Sequence, residues 1–209
     1  MQYTTVFWDF NGTIANDVLL GISSVNRMLK KRDLPTLDSV RAYHDVFCFP
    51  VKEYYRRLGF DFEKEPYEIL AVEWVDNYVS EEHTLTLNPG FLDVSDALSR
   101  QGIQQIIISS SETAMLNRHL TILGIQDRFD RILGMDNIYA GGKIEMARRC
   151  VGNADHALFI GDTVHDADTA EAIGADCILY SGGHSSREQL SVRDVPVVDH
   201  LSEILAYMR

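Results

Sequence analysis

The sequence is poor in cysteine and has no long apolar run. Its three cysteines, Cys48, Cys150 and Cys177, are widely spaced and form no CxxC pair. This pattern favours free thiols in a reducing compartment over a disulfide framework or a zinc site. No apolar run approaches the ~20 residues of a membrane-spanning helix, and no basic segment or cleavage site marks a signal peptide. These absences predict a cytoplasmic protein without a membrane partner.

Basic residues are also scarce relative to acidic ones. The 209 residues include 19 Lys+Arg and 31 Asp+Glu, which gives a formal net charge of −12 at pH 7. Such a chain is poorly suited to the phosphates of nucleic acid or to anionic lipid, because its own charge opposes binding. We therefore expect no nucleic-acid partner. Hydrophobic residues make up 45% of the chain, which is typical of a globular protein.

What the sequence does contain is an alternation of short apolar runs and amphipathic stretches. Three consecutive isoleucines, Ile106–Ile108, are typical of a strand buried on both faces. Strands and helices in turn predict the α/β class, with a doubly wound parallel sheet covered on both sides. The predicted strands are Thr4–Phe10, Ile103–Ser109, Arg131–Gly134, Ala157–Gly161, Cys177–Tyr180 and Val195–Val198, and the predicted helices are Phe91–Arg100, Glu112–Leu123, Lys143–Val151 and Asp166–Ala172.

One region breaks this alternation, because it contains only helical patterning. In Asp17–Lys31 the apolar residues recur every three or four positions, and Asp17 is placed to cap the helix. Lys52–Leu58 and Tyr67–Val79 show the same pattern, with turn-like segments between them. We therefore predict an inserted all-helical domain. Its predicted bounds are residues 16–86, and those of the α/β core are residues 1–15 and 87–209.

Four polar clusters stand at the carboxyl ends of predicted strands, where open parallel sheets bind ligands. Asp9 and Asp162 end two of these strands, and together they suit a hard divalent cation of the Mg²⁺ type. Neighbouring hydroxyl and backbone N–H groups suit phosphate oxygens, and Lys143 adds a positive charge. A carboxylate nucleophile in such surroundings indicates phosphoryl transfer through an aspartyl-phosphate. The clusters are Asp9–Thr13, Ser109–Ser111, Lys143 after Gly141 and Gly142, and Gly161–Asp166.

In this order the clusters resemble the motifs of the haloacid dehalogenase superfamily, in particular its phosphoglycolate phosphatase and β-phosphoglucomutase-like branch. VFWDFNGTIAND is similar to the first motif, hhhDxDGT, and IIISSS to the second. YAGGKIEMA resembles the third, and LFIGDTVHDADTAEAIGA the fourth, GDxxxD. The helical insertion matches a cap domain that follows the first motif. The resemblance covers essentially the whole chain and implies a Mg²⁺-dependent phosphatase of a small phosphorylated metabolite.

The resemblance also implies a role for each matched residue. It makes Asp9 the nucleophile, with Asn11 and Lys143 as the other catalytic residues. It implies that Mg²⁺ is held by Asp9, the backbone carbonyl of Asn11 and Asp162, with Asp166 in support. The implied phosphate-binding residues are Gly12, Thr13, Ser109, Ser110 and Lys143.

One position departs from the family pattern, because the second aspartate of DxDGT is Asn11 here. In the family that aspartate protonates the leaving group and then activates water, whereas an amide exchanges no proton at neutral pH. Losing a general acid or base costs on the order of 10²–10⁴ in rate. Three outcomes stay open: a leaving group that needs little protonation, a replacement acid such as His165 or a cap residue, or a weakened member that binds phospho-ligands or a partner.

Two basic residues of the insertion, Lys52 and Arg56, are candidates for substrate specificity. Among the charged residues, basic ones predominate in residues 27–57 and acidic ones in residues 58–86. The basic first half is either a solvated surface or a surface that faces an anionic substrate. Lys52 also keeps open a phosphonatase-like C–P hydrolase, whose relatives form a Schiff base on a cap lysine. Dehalogenation is disfavoured, because dehalogenase-like members lack the full acidic fourth motif.

Overall fold

The computed structural model of the chain describes residues 3–135, 142–151 and 156–208. Gly141 and the side chain of Cys150 lie outside the described residues. The chain divides into two compact units, which we call the core and the helical insert. The core is Met1–Asn16 with Thr86–Arg209, and the helical insert is Asp17–Leu85. No helix in the described ranges is both long and apolar enough to cross a bilayer.

The core is built on a six-stranded parallel sheet, which confirms the predicted fold class. Its strands have two to nine residues, and two further strands form a separate antiparallel ribbon. The strands are β1 (Thr5–Trp8), β2 (Ala15–Asn16), β3 (Thr86–Leu87), β4 (Gln104–Glu112), β5 (Arg131–Met135), β6 (Ala157–Gly161), β7 (Asp176–Tyr180) and β8 (Val197–Val198). The large sheet has the order β5-β4-β1-β6-β7-β8, and β2 pairs with β3.

The helices of the core follow its strands along the chain, as the alternation predicts. They are α5 (Phe91–Arg100), α6 (Thr113–Leu123), α7 (Gly142–Val151), α8 (Val164–Ile173) and the short α9 (Arg187–Leu190). From β1 the sheet grows through β4 on one side and through β6 on the other. The strand order therefore reverses at β1, and this reversal opens a crevice at the carboxyl ends of the strands. Each of these three strands ends in a predicted polar cluster.

The central strands supply the core of the sheet because they are apolar on both faces. Val6, Phe7 and Trp8 of β1 are buried, as are Ile106–Ile108 of β4 and every residue of β6. Such strands fix the backbone that precedes each polar cluster. The side chains of the site therefore begin from a rigid edge of the sheet.

The helical insert contains α1 (Val18–Lys31), α2 (Val40–Val46), α3 (Val51–Arg57) and α4 (Tyr67–Ser80). Its interior is a cluster of aliphatic and aromatic side chains that includes Met28, Tyr54 and Leu70. Asp17 precedes α1, as predicted, but its side chain makes no capping hydrogen bond. Instead, the buried carboxylate accepts a hydrogen bond from the Tyr78 hydroxyl over 2.8 Å. The expected cap is therefore a link between the first and last helices of the insert.

The uneven charge of the insert is used in ion pairs within that unit. Arg32, at the end of α1, donates to Glu65 and to Glu73, each over 2.6 Å at its closest approach. Lys31 also contacts Glu73, over 3.1 Å. Basic residues of the first half thus meet acidic residues of the second. This part of the charge is therefore paired within the insert, where it has a structural role.

Replacing Arg32 with Ala is expected to lower the free energy of unfolding by about 1–2 kcal/mol at pH 7, because both pairs are partly screened by solvent. Hydrogen bonds from Arg32 lower the pKa of Glu65 and of Glu73. The stabilisation is therefore present above the ordinary carboxyl pKa and is lost as the pH falls through the lowered values. Urea unfolding should show a smaller difference at pH 3 than at pH 7. Equal losses in Arg32→Ala and in the exposed Lys64→Ala control would contradict this account.

Candidate active site

Three buried carboxylates meet at the crevice between β1 and β6. Asp9 follows β1 directly, Asp162 follows β6, and Asp166 lies in the first turn of α8. One oxygen from each lies within 4.8 Å of the other two, and all three residues are buried. The parallel pairing of β1 with β6 brings the first two together, because it sets Trp8 beside Ile160. The structure thus assembles the acidic residues that the sequence assigns to a metal.

Lys143 is the cation of this cluster. The residue is 2% exposed, and its Nζ contacts Asp9 Oδ1 and lies 2.5 Å from Asp166 Oδ1. Burial alone lowers the pKa of the ammonium, but the charges of Asp166 and Asp9 outweigh it and raise the pKa above its ordinary value. Lys143 is therefore charged at neutral pH. It joins the nucleophile candidate to the fourth motif.

Asp166 anchors both the lysine and the turn before α8. Its Oδ2 accepts hydrogen bonds from the backbone N–H of Asp162 over 3.1 Å and of Thr163 over 2.9 Å. The Thr163 hydroxyl also donates to it, over 2.7 Å. Burial raises the pKa of Asp166, but the charge and hydrogen bond of Lys143 lower it below the ordinary value overall. Asp166 is therefore an ionised carboxylate with both oxygens held by the protein.

Asp162 is held from two sides of the crevice. Its Oδ1 accepts a hydrogen bond from the Thr13 hydroxyl over 3.0 Å, and its Oδ2 accepts one from the His184 backbone N–H over 2.6 Å. Burial raises its pKa to about 6, against the opposing charge of His184. The Thr13 hydroxyl, predicted to bind phosphate, thus contacts a carboxylate. Its phosphate-binding role stays a prediction.

The loop after β7 contributes a contact that sequence reasoning missed. The segment SGGHSS follows a strand at the ligand-binding edge, and the sequence leaves open whether it is loop structure or lines the mouth of the site. A Cβ added to Gly183 would lie 2.2 Å from Asp162 Oδ2. The backbone approaches the carboxylate this closely only because residue 183 has no side chain. Two glycines after a strand end were the available signal.

Gly12 makes a similar close approach from the other side. Its φ is +76°, a left-handed conformation that favours glycine, and an added Cβ would also lie 2.2 Å from Asp162 Oδ2. The loop that follows Asp9 is further held by Asn88, whose side-chain amide donates to the backbone oxygens of Gly12 and Thr13 over 2.8 and 2.9 Å. The sequence shows Asn88 only as part of a turn. Its role in the first motif was therefore missed.

The serines at the end of β4 have three different environments. Ser109 is buried and its Oγ accepts a hydrogen bond from the Ser111 backbone N–H over 3.1 Å. Ser110 is exposed. Ser111 donates its hydroxyl to Asn11 Oδ1 over 2.6 Å. The second motif thus meets the first through Ser111, a member of the predicted serine cluster to which the sequence assigned no individual role.

Lys52 and Arg56 lie on α3 of the helical insert, and both are exposed. The Lys52 ammonium is 5.4 Å from the centre of the Phe62 ring, and the Arg56 guanidinium is 5.5 Å from it. Both cations therefore pack on an aromatic ring of their own unit, which is a favourable cation–π arrangement. Their contact with substrate stays a prediction.

The cluster fits a divalent cation in its charge and in its donor atoms. Three carboxylates face one ammonium, so the negative charges exceed the positive charge of Lys143 by two. Burial and the neighbouring carboxylates raise the pKa of Asp9 well above its ordinary value, despite the opposing charge of Lys143. A hard divalent cation relieves this repulsion, since carboxylate oxygens are its preferred ligands. The carboxylates of Asp9, Asp162 and Asp166 together could hold such an ion.

Replacing Gly183 with Ala is expected to lower kcat at least about 10-fold for the phosphatase reaction that the sequence predicts. The new methyl group would displace the Asp162 carboxylate. Gly182→Ala is the matched control, because its Cβ would meet the Tyr180 hydroxyl at the same 2.2 Å. The control should affect stability more than turnover. Steady-state rates and melting temperatures of both variants test this, and equal losses of kcat would contradict a role for Gly183 in placing Asp162.

Comparisons with known proteins agree with this geometry. A family model described as haloacid dehalogenase-like hydrolase matches residues 6–180. The chain is 24% identical over 191 residues to a phosphoglycolate phosphatase of Rhodobacter capsulatus, covering 86% of this chain and 84% of the relative. It is 23% identical over 205 residues to a Mycobacterium tuberculosis protein named tyrosine-protein kinase PtkA, covering 95% of this chain and 69% of that one.

A solved structure shares the fold over the full length. It is a haloacid dehalogenase-like family hydrolase from Streptococcus pneumoniae, with a TM-score of 0.83 and 20% identity, covering 100% of this chain and 99% of that chain. The matched residues include the whole helical insert and most of the core. The chain therefore belongs to the haloacid dehalogenase-like hydrolases and resembles their phosphoglycolate phosphatase branch.

Proposed function

We propose that this chain is a Mg²⁺-dependent phosphatase that hydrolyses a small phosphorylated metabolite through an aspartyl-phosphate on Asp9. The observation that carries the proposal is the position of Asp9. It lies at the end of a central strand, in contact with Lys143 and within 4.8 Å of two further carboxylates. Relatives named phosphoglycolate phosphatase support a phosphate ester as the substrate class.

The residues of the chain divide the work of phosphoryl transfer. The Asp9 carboxylate attacks phosphorus, and the Lys143 ammonium neutralises negative charge on the oxygens of the transferred group. Asp166 keeps the lysine in place through its 2.5 Å contact. Asp9, Asp162 and the backbone carbonyl of Asn11 would hold Mg²⁺, which would supply further positive charge for the phosphoryl oxygens.

We expect the end of β4 and the loop after Asp9 to bind the phosphate group. Ser109 is buried beside the exposed Ser110. Because Gly12 has no side chain, its backbone can lie close to the Asp162 carboxylate. Backbone N–H and hydroxyl groups in such a crevice suit phosphate oxygens. We expect the helical insert to serve as the cap, with Lys52 and Arg56 as its candidate specificity residues. Replacing either with Ala should then raise KM with little change in kcat.

A second candidate function rests on Asn11. An amide exchanges no proton at neutral pH. In the alternative, the chain is a catalytically weakened member of the family that binds phosphorylated ligands or a partner without useful turnover. The phosphonatase-like alternative depends on Lys52 as a Schiff-base lysine. The Lys52 ammonium packs on the Phe62 ring within the insert, an arrangement that gives this alternative no additional support.

Hydrolysis of 4-nitrophenyl phosphate tests the proposal, because its leaving group needs little protonation. We expect turnover with Mg²⁺, loss of turnover with EDTA, and recovery when Mg²⁺ is restored. Asp162→Asn should need a higher Mg²⁺ concentration for half-maximal activity, since it removes a charged oxygen from the cluster. Turnover that is unchanged by EDTA would refute the proposed requirement for a metal ion. Binding of inorganic phosphate without any turnover would favour the weakened member.

A further inference from the structure

A hydroxyl–amide contact beside Asp9 has no part in the mechanism so far. Ser111, near the end of β4, donates its hydroxyl to Asn11 Oδ1 over 2.6 Å. Its backbone N–H donates to Ser109 Oγ over 3.1 Å, which ties it to the end of the strand. Ser111 and Asn11 are both half-buried. The side chain two positions after the nucleophile is thus held by a residue of the neighbouring strand.

The contact determines which end of the amide faces the serine. Oδ1 of Asn11 accepts the hydroxyl proton of Ser111, so the opposite end of the amide is the Nδ2 group, a pure donor. A donor of this kind stabilises negative charge that develops on a nearby oxygen. It transfers no proton at neutral pH, however. Residue 11 therefore offers a hydrogen bond in place of acid catalysis.

The neighbouring carboxylates already serve other groups. Asp166 accepts hydrogen bonds from Lys143 and from the turn before α8. Asp162 accepts hydrogen bonds from Thr13 and from the backbone of His184. Either carboxylate would have to give up such a partner to act as an acid. This arrangement favours a leaving group that departs without a proton.

We propose that Ser111 positions the Asn11 amide and that this pair restricts the enzyme to phosphate compounds whose leaving oxygen departs as a stabilised anion, as in acyl and aryl phosphates. The proposal rests on the phosphatase function proposed above. The leaving group of an alkyl phosphate such as 2-phosphoglycolate is an alkoxide, which needs a proton in order to depart. This chain therefore differs in substrate class from what the names of its phosphoglycolate phosphatase relatives state.

The reaction balances without an acid at residue 11. The Asp9 carboxylate forms a bond to phosphorus, and the bond between phosphorus and the leaving oxygen breaks. The electron pair stays on the leaving oxygen, which departs as a carboxylate or a phenolate. Water then attacks phosphorus, the bond to Asp9 breaks, and one proton of that water passes to solvent as phosphate is released.

The dependence of kcat/KM on the leaving group tests the proposal. The substrates are 4-nitrophenyl phosphate, phenyl phosphate and 2-phosphoglycolate, each with Mg²⁺. In the unmodified protein we expect 2-phosphoglycolate to react about 10²–10⁴-fold more slowly than 4-nitrophenyl phosphate. Asn11→Asp should raise the rate with 2-phosphoglycolate at least about 10-fold relative to the rate with 4-nitrophenyl phosphate, and it should add a pH-dependent limb to the 2-phosphoglycolate profile.

Variants of Ser111 separate positioning from a structural role. Ser111→Ala should lower the phenyl phosphate rate more than the 4-nitrophenyl rate, because the misplaced amide no longer stabilises the less stable anion. Ser111→Thr keeps the hydroxyl and should restore the original ratio of the two rates. The same ratio in Ser111→Ala as in the unmodified protein would overturn the role of this residue.

The same measurements distinguish failure of the substrate restriction from failure of the proposed phosphatase function. Equal rates for 2-phosphoglycolate and the aryl compounds in the unmodified protein would overturn the substrate restriction, because an acid must then come from elsewhere, such as His165 or the insert. The phosphatase would still stand. Hydrolysis of none of the three compounds would instead refute the phosphatase, and the restriction with it.

Discussion

Replacing Asp9 with Asn is expected to lower the turnover of 4-nitrophenyl phosphate on the order of 10⁴-fold or more, because the amide is not a nucleophile. The melting temperature without Mg²⁺ should not fall. Burial raises the pKa of Asp9, so its ionised form destabilises the folded protein at neutral pH, and the neutral isostere removes this cost. Activity and stability should therefore separate in this variant.

The control for Asp9 is Asp93→Asn, at an exposed position in the first turn of α5. The same change of carboxylate to amide there should leave turnover within about 2-fold, since surface substitutions have small effects. Mg²⁺-dependent turnover in Asp9→Asn at the original rate would remove Asp9 from the mechanism.

Replacing Lys143 with Met is expected to reduce both turnover and stability. Loss of the cation that faces the transferred group should lower kcat about 10²–10³-fold. Without Mg²⁺, the free energy of unfolding should fall by about 3–5 kcal/mol, because loss of the ammonium leaves the buried carboxylates of Asp9 and Asp166 without a compensating charge. Added Mg²⁺ should recover part of that stability, as a divalent cation reduces the repulsion among them.

Lys64→Met is the control for this change, because the Lys64 side chain is 84% exposed and forms only a surface pair with Asp61. Thermal or urea unfolding with and without Mg²⁺ measures the effect. A Lys143→Met protein as stable as the control, with or without Mg²⁺, would show that the lysine does not balance the buried carboxylates.

Much of the fold could be predicted from the sequence because its strands and helices are strongly patterned. The six strands of the main sheet lie within a few residues of their predicted positions, and β6 and α5 have the predicted bounds. Three features were not predicted. The two-residue ribbon of β2 and β3 and the four-residue α9 are too short to show a period, and α2 of the insert was also missed.

The residues of the candidate site divide along a similar line. Asp9, Asp162 and Lys143 could be placed because each follows a recognisable strand or turn. Contacts between distant segments of the chain could not be predicted. The N–H of His184 on Asp162 and the amide of Asn88 on the first motif depend on the meeting of segments 22 and 76 residues apart. No local pattern encodes such contacts.

Ser111 shows the same limit within a recognised motif. The sequence places three serines at the end of one strand, and it offers no reason to prefer the third. β4 continues to Glu112, past the predicted end at Ser109, with a register shift against β5 after Ile108. That irregularity accompanies the contact of Ser111 with Asn11. The sequence therefore indicates the cluster of serines without showing which of them contacts Asn11.

Direct trapping of a phosphoryl group on Asp9 tests the central claim most directly. The unmodified protein would be mixed with 4-nitrophenyl phosphate and Mg²⁺, quenched in acid, reduced with borohydride, and read by peptide mass spectrometry. Borohydride converts an aspartyl-phosphate to homoserine, so we predict homoserine at position 9 with Mg²⁺ and unmodified Asp9 with EDTA. Release of nitrophenol with no label at Asp9, or with the label at another residue, would contradict the account.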